Sequence, residues 1–330
     1  MTCAAVLRAT RDCFLALLLS MTACASVAAA EGYPTKPVRV VVGFPPGGPV
    51  DLQARVILPK LSDTLRHPIV IDNRPGADGA VGSEVVARAA PDGHTLLYGN
   101  AGHVTNQILH DNALPFDAIR DFTPIGLLTM SAYLLIVHPS VPASNVSDLV
   151  ALARAKPGQL SYGSAGNGSF AHLAGELLKS SARIDLVHVP YKGGAGSLAG
   201  VLSGEIPVAF VGIPPTLPHV RSGKVRALGV TAPKRVPALP QVPAIAEAGF
   251  PDFDVSARYG FFAPARTPHA IVARLNAGLR AILAMPEVRE RLAALGLEPI
   301  PSSPEQHAAQ IKAEFARWTP IIKSTGMRVD

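Results

Sequence analysis

The stretch Val38-Arg39-Val40-Val41-Val42-Gly43-Phe44-Pro45-Pro46-Gly47-Gly48-Pro49-Val50-Asp51 changes backbone state completely within fourteen residues. Its first five residues, four of them valine, predict a buried strand, because β-branched side chains are stiff and pack well on a pleated surface. The Gly/Pro run breaks the strand, and helical spacing of apolar residues from Val50 to Leu65 predicts a helix. Such a junction presents unpaired backbone N–H groups and the positive end of a helix dipole, which suits an anion. The two glycines let a ligand approach the main chain closely. Asp51 lies in the first helical turn with Arg55 one turn on. The loop reads equally as a tight strand-to-helix turn with a structural cap.

The same alternation continues along the chain. Strands are predicted at 69–71, 95–98, 134–137, 160–162, 186–189, 208–211, 227–230 and 255–262. Helical segments are predicted at 79–89, 268–283, 286–295 and 304–323, with further helices between the strands of the second series. Strands separated by helices of this length predict parallel pairing through right-handed crossovers. Two α/β domains fit this order better than one large sheet. No fixed-period repeat or low-complexity linker divides them.

Composition narrows the class. The chain has 330 residues, 48% of them apolar and 16% charged, with 29 glycines and 31 prolines. That excludes a disordered chain, and the missing Gly-X-Y period excludes collagen. The net charge of +6 is spread over single Lys and Arg residues with no basic run, so nucleic-acid binding is not expected. All three cysteines, Cys3, Cys13 and Cys24, lie in the first twenty-four residues. There a basic start (Arg8, Arg11) precedes an apolar stretch and Ala28-Ala29-Ala30, the layout of a secretory signal peptide. Cleavage is expected near Ala30, with lipid anchoring at Cys24 the lesser alternative. The mature chain would then lie outside the cytoplasm without disulfides, thiol nucleophiles or Cys-ligated zinc.

Three further loops carry unusual residues. Gly99-Asn100-Ala101-Gly102-His103-Val104-Thr105-Asn106 follows a predicted strand, and its amides and imidazole suit a carboxylate or the loop's own backbone. Gly163-Ser164-Ala165-Gly166-Asn167-Gly168-Ser169-Phe170-Ala171-His172 combines small donors with a helix start. Tyr191-Lys192-Gly193-Gly194-Ala195-Gly196 opens another helix. Its Gly194-x-Gly196-x-x-Ala199 pattern lacks the acidic residue that a dinucleotide site needs about twenty positions on. Ser164 or Ser169 with His172 is the one arrangement resembling an exported serine hydrolase, but Tyr162 stands where a nucleophile elbow needs glycine. No His-Glu-x-x-His occurs, so no catalytic metal is expected.

Taken together, these loops resemble the Bug-type, TctC-like solute receptors of tripartite tricarboxylate transporters. The matching phrases are Phe44-Pro45-Pro46-Gly47-Gly48 with Asp51, Asn73-Arg74-Pro75-Gly76-Ala77, Pro91-Asp92-Gly93-His94-Thr95-Leu96 and Asp121-Phe122-Thr123-Pro124. Then come Gly163 to Ser169 with His172, His188-Val189-Pro190-Tyr191-Lys192-Gly193-Gly194, Lys234-Arg235, Pro240-Gln241-Val242-Pro243 and Glu247-Ala248-Gly249. The ordered set covers essentially the whole mature chain.

The resemblance implies a periplasmic-binding-protein type II-like α/β fold, in which two lobes joined by two hinge crossings close over a ligand cleft. It implies lobe one at 31–131 with 256–330 and lobe two at 132–255. It implies a non-catalytic, monomeric, cofactor-free and metal-free receptor that delivers an organic carboxylate to membrane subunits, or an orphan receptor feeding a sensor kinase. The loops matching Pro46 to Gly48 and Ser164 to Ser169 would face each other and hold one carboxylate partly through water. The expected ligand-binding residues are Phe44, Pro46, Gly47, Gly48, Asp51, Asn100, His103, Asn106, Ser164, Ala165, Gly166, Asn167, Gly168, Ser169, His172, Lys192 and Arg258. This chain departs from the family pattern at Ala199-Gly200, Ile206-Pro207, Gln107 and Arg258. Arg258 reads either as a solvated residue on a hinge strand or as a cation for a second carboxylate.

Overall fold

A computed structural model describes residues 32–100, 102–110 and 114–325. The leader, its cleavage point and Cys24 lie outside the described residues. Chain order is β1 (Val38–Val42), α1 (Pro49–Leu65), β2 (Ile69–Asn73), α2 (Ala80–Ala87), β3 (Thr95–Asn100), α3 (Gly102–Leu109) and β4 (Phe122–Ser131). There follow β5 (Tyr133–Val137), α4 (Val146–Ala155), β6 (Ser161–Ser164), α5 (Phe170–Ala182), β7 (Val187–Pro190), α6 (Gly194–Ser203), β8 (Val208–Gly212), α7 (Ile213–Arg221) and β9 (Arg226–Val230). The chain closes with β10 (Ala257–Pro264), α8 (His269–Ala284), α9 (Pro286–Ala294), β11 (Glu298–Pro299) and α10 (Pro304–Thr325).

Two mixed sheets result, in the orders β11-β4-β10-β3-β1-β2 and β7-β6-β8-β5-β9. The valine run of β1 is buried on both faces. Val38, Val40 and Val42 pack with Ala54, Ile57 and Leu61 of α1, whereas Val41 packs with Leu97 and with Ala80 and Val86 of α2. A central parallel strand covered by helices on both sides needs this nearly continuous apolar text, and its one exception, Arg39, is half-buried and pairs with Asp72 of β2.

The expectation of parallel pairing holds for β1 with β2 and β3, and for β6 with β7 and β8. It fails at the crossings. β10 runs antiparallel to β3 and β4, and β5 antiparallel to β8 and β9. These strands enter a sheet from the other sheet, so no crossover helix restores their direction. β4 itself was missing from the predicted strands, because Pro124 and Gly126 break its pattern. Its pairing with β10 shifts register twice, passing over Ile125 and Leu128. Such bulges let a strand carry a proline. Gly126 is needed there because a Cβ would fall 2.6 Å from Asn276 Nδ2 and 3.0 Å from the Ser302 carbonyl.

Only Ala132 separates β4 from β5, and the chain returns between Val230 and Ala257. Buried Thr231 stitches the two crossings together. Its Oγ1 accepts from the Tyr133 N–H (2.8 Å) and donates to the Val255 carbonyl (2.7 Å). Its own N–H and carbonyl pair with Tyr133 O and Val255 N. α10 packs on β4 and α3 of the first sheet's unit and also touches α5 of the second.

Candidate functional site

Strand direction places each pair of loops at the carboxyl-terminal edge of its own sheet, beside a crossing. The parallel strands β1 and β3 end at the Phe44–Gly48 loop and at Asn100, and Asn100 pairs with Tyr259 of β10 beside the return crossing. In the second sheet β6, β7 and β8 end at Ser164, Pro190 and Gly212, and Gly212 pairs with Tyr133 just past the first crossing. Loops beyond the carboxyl ends of parallel strands are where open α/β sheets bind ligands.

The Phe44–Gly48 loop is shaped from beneath by Asp51. This carboxylate is fully buried and accepts from Gly47 N–H (2.8 Å), Arg55 Nε (2.7 Å) and Asn73 Nδ2 (3.1 Å). Asn73, at the end of β2, also donates to the Phe44 carbonyl (3.0 Å). Burial pushes the Asp51 carboxyl up, and the bonds from Arg55, Gly47 and Asn73 overcome it and hold the group below its ordinary value. Asp51 therefore organises the loop, and its charge offsets part of the α1 dipole. Pro46 and Gly47 are exposed and Phe44 is half-buried. Gly47 has φ +78°, and a Cβ there would meet nothing within 4 Å, so its face is open. Gly48 is the helix N-cap, with no side-chain cap bond.

The Ser164–His172 loop is denser. The Ser164 hydroxyl is fully buried, lies 2.7 Å from His188 Nε2 and accepts from the Gly166 N–H (3.1 Å). Ser169 caps α5 by accepting from the His172 N–H (3.2 Å) and donates to the Gly166 carbonyl (2.7 Å). His172 Nδ1 accepts from the Gly168 N–H (3.2 Å), so the neutral ring carries its proton on Nε2. Gly166 and Gly168 have φ +122° and +74°. Asn167 is exposed, and Ala165 is tied through its carbonyl to the Gly193 N–H (3.2 Å). The first turn of α5 has no acidic residue, so the amides at Asn167, Phe170 and Ala171 face an uncompensated helix N-terminus.

The serine hydrolase arrangement is overturned. Three residues along a helix, the His172 backbone meets Ser169 Oγ, while its ring turns to Gly168 and neither serine contacts it. The imidazole at Ser164 belongs to His188, which the sequence reading did not single out. Parallel pairing sets Tyr162 of β6 opposite His188 of β7, two pairs before Ser164, so His188 and Ser164 point to the same face of the sheet. The His172 and His188 rings stack, 3.8 Å apart and 6° from parallel. Burial pushes both imidazoles down to about 4, so both are neutral near pH 7. Behind them Tyr162 donates to Glu176 (2.8 Å), which pairs with Lys179 (3.0 Å).

The remaining expected residues scatter. Asn106 is buried and donates to the Ala77 carbonyl (3.2 Å), tying α3 to the turn before α2. The side chains of Asn100 and His103 lie outside the described residues. Lys192 is exposed beside the α6 N-cap Gly193, and the first turn of α6 has no acid. Arg258 is not solvated: its guanidinium pairs with Asp254 and, at 3.1 Å, with Glu314 of α10. Gly200 accommodates the Tyr191 ring, since a Cβ would fall 2.6 Å from its hydroxyl, and a Cβ at Gly163 would fall 2.3 Å from Ile206 Cδ1. Among the described residues no three His, Cys, Asp or Glu side chains form a metal site, and no helix is long and apolar enough to cross a membrane.

Residues 53–327 match the profile of the TctC family, the tripartite tricarboxylate transporter family receptor. The chain belongs to that family. It is 39% identical, over 88% of its length and 87% of the other's, to a protein from the tcbD-tcbE intergenic region of Pseudomonas sp. strain P51. It is 31% identical to BugT of Bordetella pertussis over 96% of this chain and 97% of that protein. Among solved structures it is similar to a Rhodopseudomonas palustris protein with adipate (35% identity, TM-score 0.75, 90% of this chain and 99% of the other). MatC of the same organism, with bound malate, is also 35% identical (TM-score 0.71, 88% of this chain and 100% of the other). The periplasmic-binding-protein fold and a receptor rather than enzymatic role follow for this chain. The receptor's two sheets, two crossings and strand-end loops are the parts of that fold described above.

Proposed function

We propose that the receptor captures an organic carboxylate between its two α/β units, in the periplasm, and hands it to the membrane subunits of a tripartite tricarboxylate-type transporter. It acts as a monomer after its leader is removed near Ala30, with lobe one formed by 31–131 and 256–330 and lobe two by 132–255. The observation that carries the reading is the Ser164–Ser169 loop, a glycine-rich strand-to-helix turn that opens a helix with no acidic residue in its first turn. Adipate and malate in relatives with full-length similarity support the ligand class. The proposed contacts are the open face of Gly47, whose own N–H is held by Asp51, and the amides of Asn167, Phe170 and Ala171, with Lys192 as the nearby cation. Ser164, Asp51, Asn106 and His172 act behind them, and Arg258 is left out because two carboxylates already neutralise it.

A thermal-shift screen of organic acids on the mature protein tests this. At one hundred times its dissociation constant a ligand adds about 2.7 kcal/mol. With unfolding entropy near 2.1 cal/mol/K per residue over ~300 residues, the midpoint rises by about 4 °C. The shift should appear with a free di- or monocarboxylate and vanish with its ester. A refolded protein that ignores every acid would refute the reading.

A further inference from the structure

His188 is half-buried in β7 and touches both groups that hold the Ser164–Ser169 turn. Its Nε2 lies 2.7 Å from Ser164 Oγ, and its ring stacks on His172, whose Nδ1 takes the Gly168 N–H. Ser164 in turn holds the Gly166 amide. The turn is thereby fastened at Gly166 and at Gly168, the two positions whose positive φ makes the free backbone most permissive. Tyr162, with its ring 5.0 Å from that of His188, closes the other side. Fixing donors before the ligand arrives removes an ordering cost from binding.

The geometry points to His188 as a positioning residue for the anion loop, acting through Ser164 and His172 rather than on the ligand. This rests on the carboxylate reading given above and names the residue that sets its affinity. Each of the two linked hydrogen bonds restrains a segment that would otherwise have to be ordered by the ligand itself. Their loss should therefore weaken binding more than it weakens the fold.

The test uses His188→Phe, which keeps a ring for the stack and removes the nitrogen, and His188→Gln, which returns a polar end. Ser164→Ala and the Ser164→Ala, His188→Phe double variant complete a cycle. Adipate and malate are the calorimetric probes, and amide exchange of residues 165–169 is read without ligand. Expected are at least tenfold weaker binding and faster exchange in His188→Phe and in Ser164→Ala, a double variant no weaker than either single, and recovery in His188→Gln. Wild-type affinity in His188→Phe, or additive losses in the double variant, overturns the proposal. If His188→Phe does not fold, Ser164→Ala against His188→Gln decides by the same exchange measurement. If the wild-type protein binds neither probe, the carboxylate reading loses that support, while unchanged 165–169 exchange in the variants would still refute the brace.

Discussion

Pro214, in the second sheet's α7, presses on Gly296, in the first unit just after α9: a Cβ at residue 296 would lie 2.3 Å from Pro214 Cγ. The contact borders a cavity of about 420 Å³ whose lining includes Met130, Ala132, Ile213 and Leu297. In the first sheet this cavity lies toward β11 and β4, while the candidate binding loops extend from β1 and β3 on the other side of β10. Pro214 and Gly296 thus meet across the flank of the crossings away from the first sheet's binding loops.

Gly296→Ala should destabilise the protein by about 2–5 kcal/mol. Roughly 1–2 comes from a non-glycine residue at φ +70° and 1–3 from the overlap with Pro214. Pro214→Ala in the same chain should restore the steric part alone. Urea melts of the single and double variants check this, and no recovery in the double variant would show that the contact does not decide the cost.

The imidazole stack predicts a pH dependence. With His172 held at about 4 against an ordinary 6.5, the unfolded chain takes up its proton first as pH falls. Stability attached to this group is therefore complete above about 6.5, declines between 6.5 and 4, and levels off below. The difference corresponds to roughly 3 kcal/mol, or about 5 °C in the melting midpoint for a chain of this size. His172→Gln should flatten the melting curve against pH in that window, and an unchanged slope would contradict the assignment.

Much of this architecture was legible in the sequence for a physical reason. Buried parallel strands need largely apolar text, which 208–211 supplies without a break and 38–42 supplies around the single Arg39, and glycine-rich helix starts mark the strand ends. β4 escaped because its bulges accept Pro124 and Gly126, which in an isolated reading break a strand. His188 escaped because its partner Ser164 is brought close only by parallel pairing of β6 with β7, more than twenty residues apart. Arg258 was expected at the ligand, but its ion pair with Glu314 escaped for the same reason: Glu314 reaches it only through the return of α10.

Gly47 separates folding from binding. With no atom within 4 Å of a Cβ there, Gly47→Ala should cost only the backbone strain, about 1–2 kcal/mol. If the ligand rests on this backbone, carboxylate affinity should fall at least tenfold while the protein stays folded by circular dichroism. Unchanged affinity would remove the first loop from the binding surface.

Arg258 and Glu314 should respond unequally to removal. Glu314 is buried and Arg258 mostly so, and Arg258 also holds Asp254, so Arg258→Met leaves two carboxylates without their cation. A loss of about 3–5 kcal/mol is expected. Burial pushes the Glu314 carboxyl above its ordinary value even though Arg258 pulls the other way. One of its oxygens, Oε2, has no hydrogen-bond partner. A carboxyl raised in the fold takes up its proton at higher pH than in the unfolded chain. This group therefore adds stability as pH falls toward 4.5, opposite in sign to the imidazole pair. Glu314→Gln should consequently cost less than Arg258→Met and should steepen the decline in stability between neutral pH and 4.5. Equal losses in the two variants at pH 7 would mean that the Glu314 charge, rather than the hydrogen bonds its Oε1 accepts from Arg258 and from Gln310 Nε2 (3.1 Å each), holds α10 against β10.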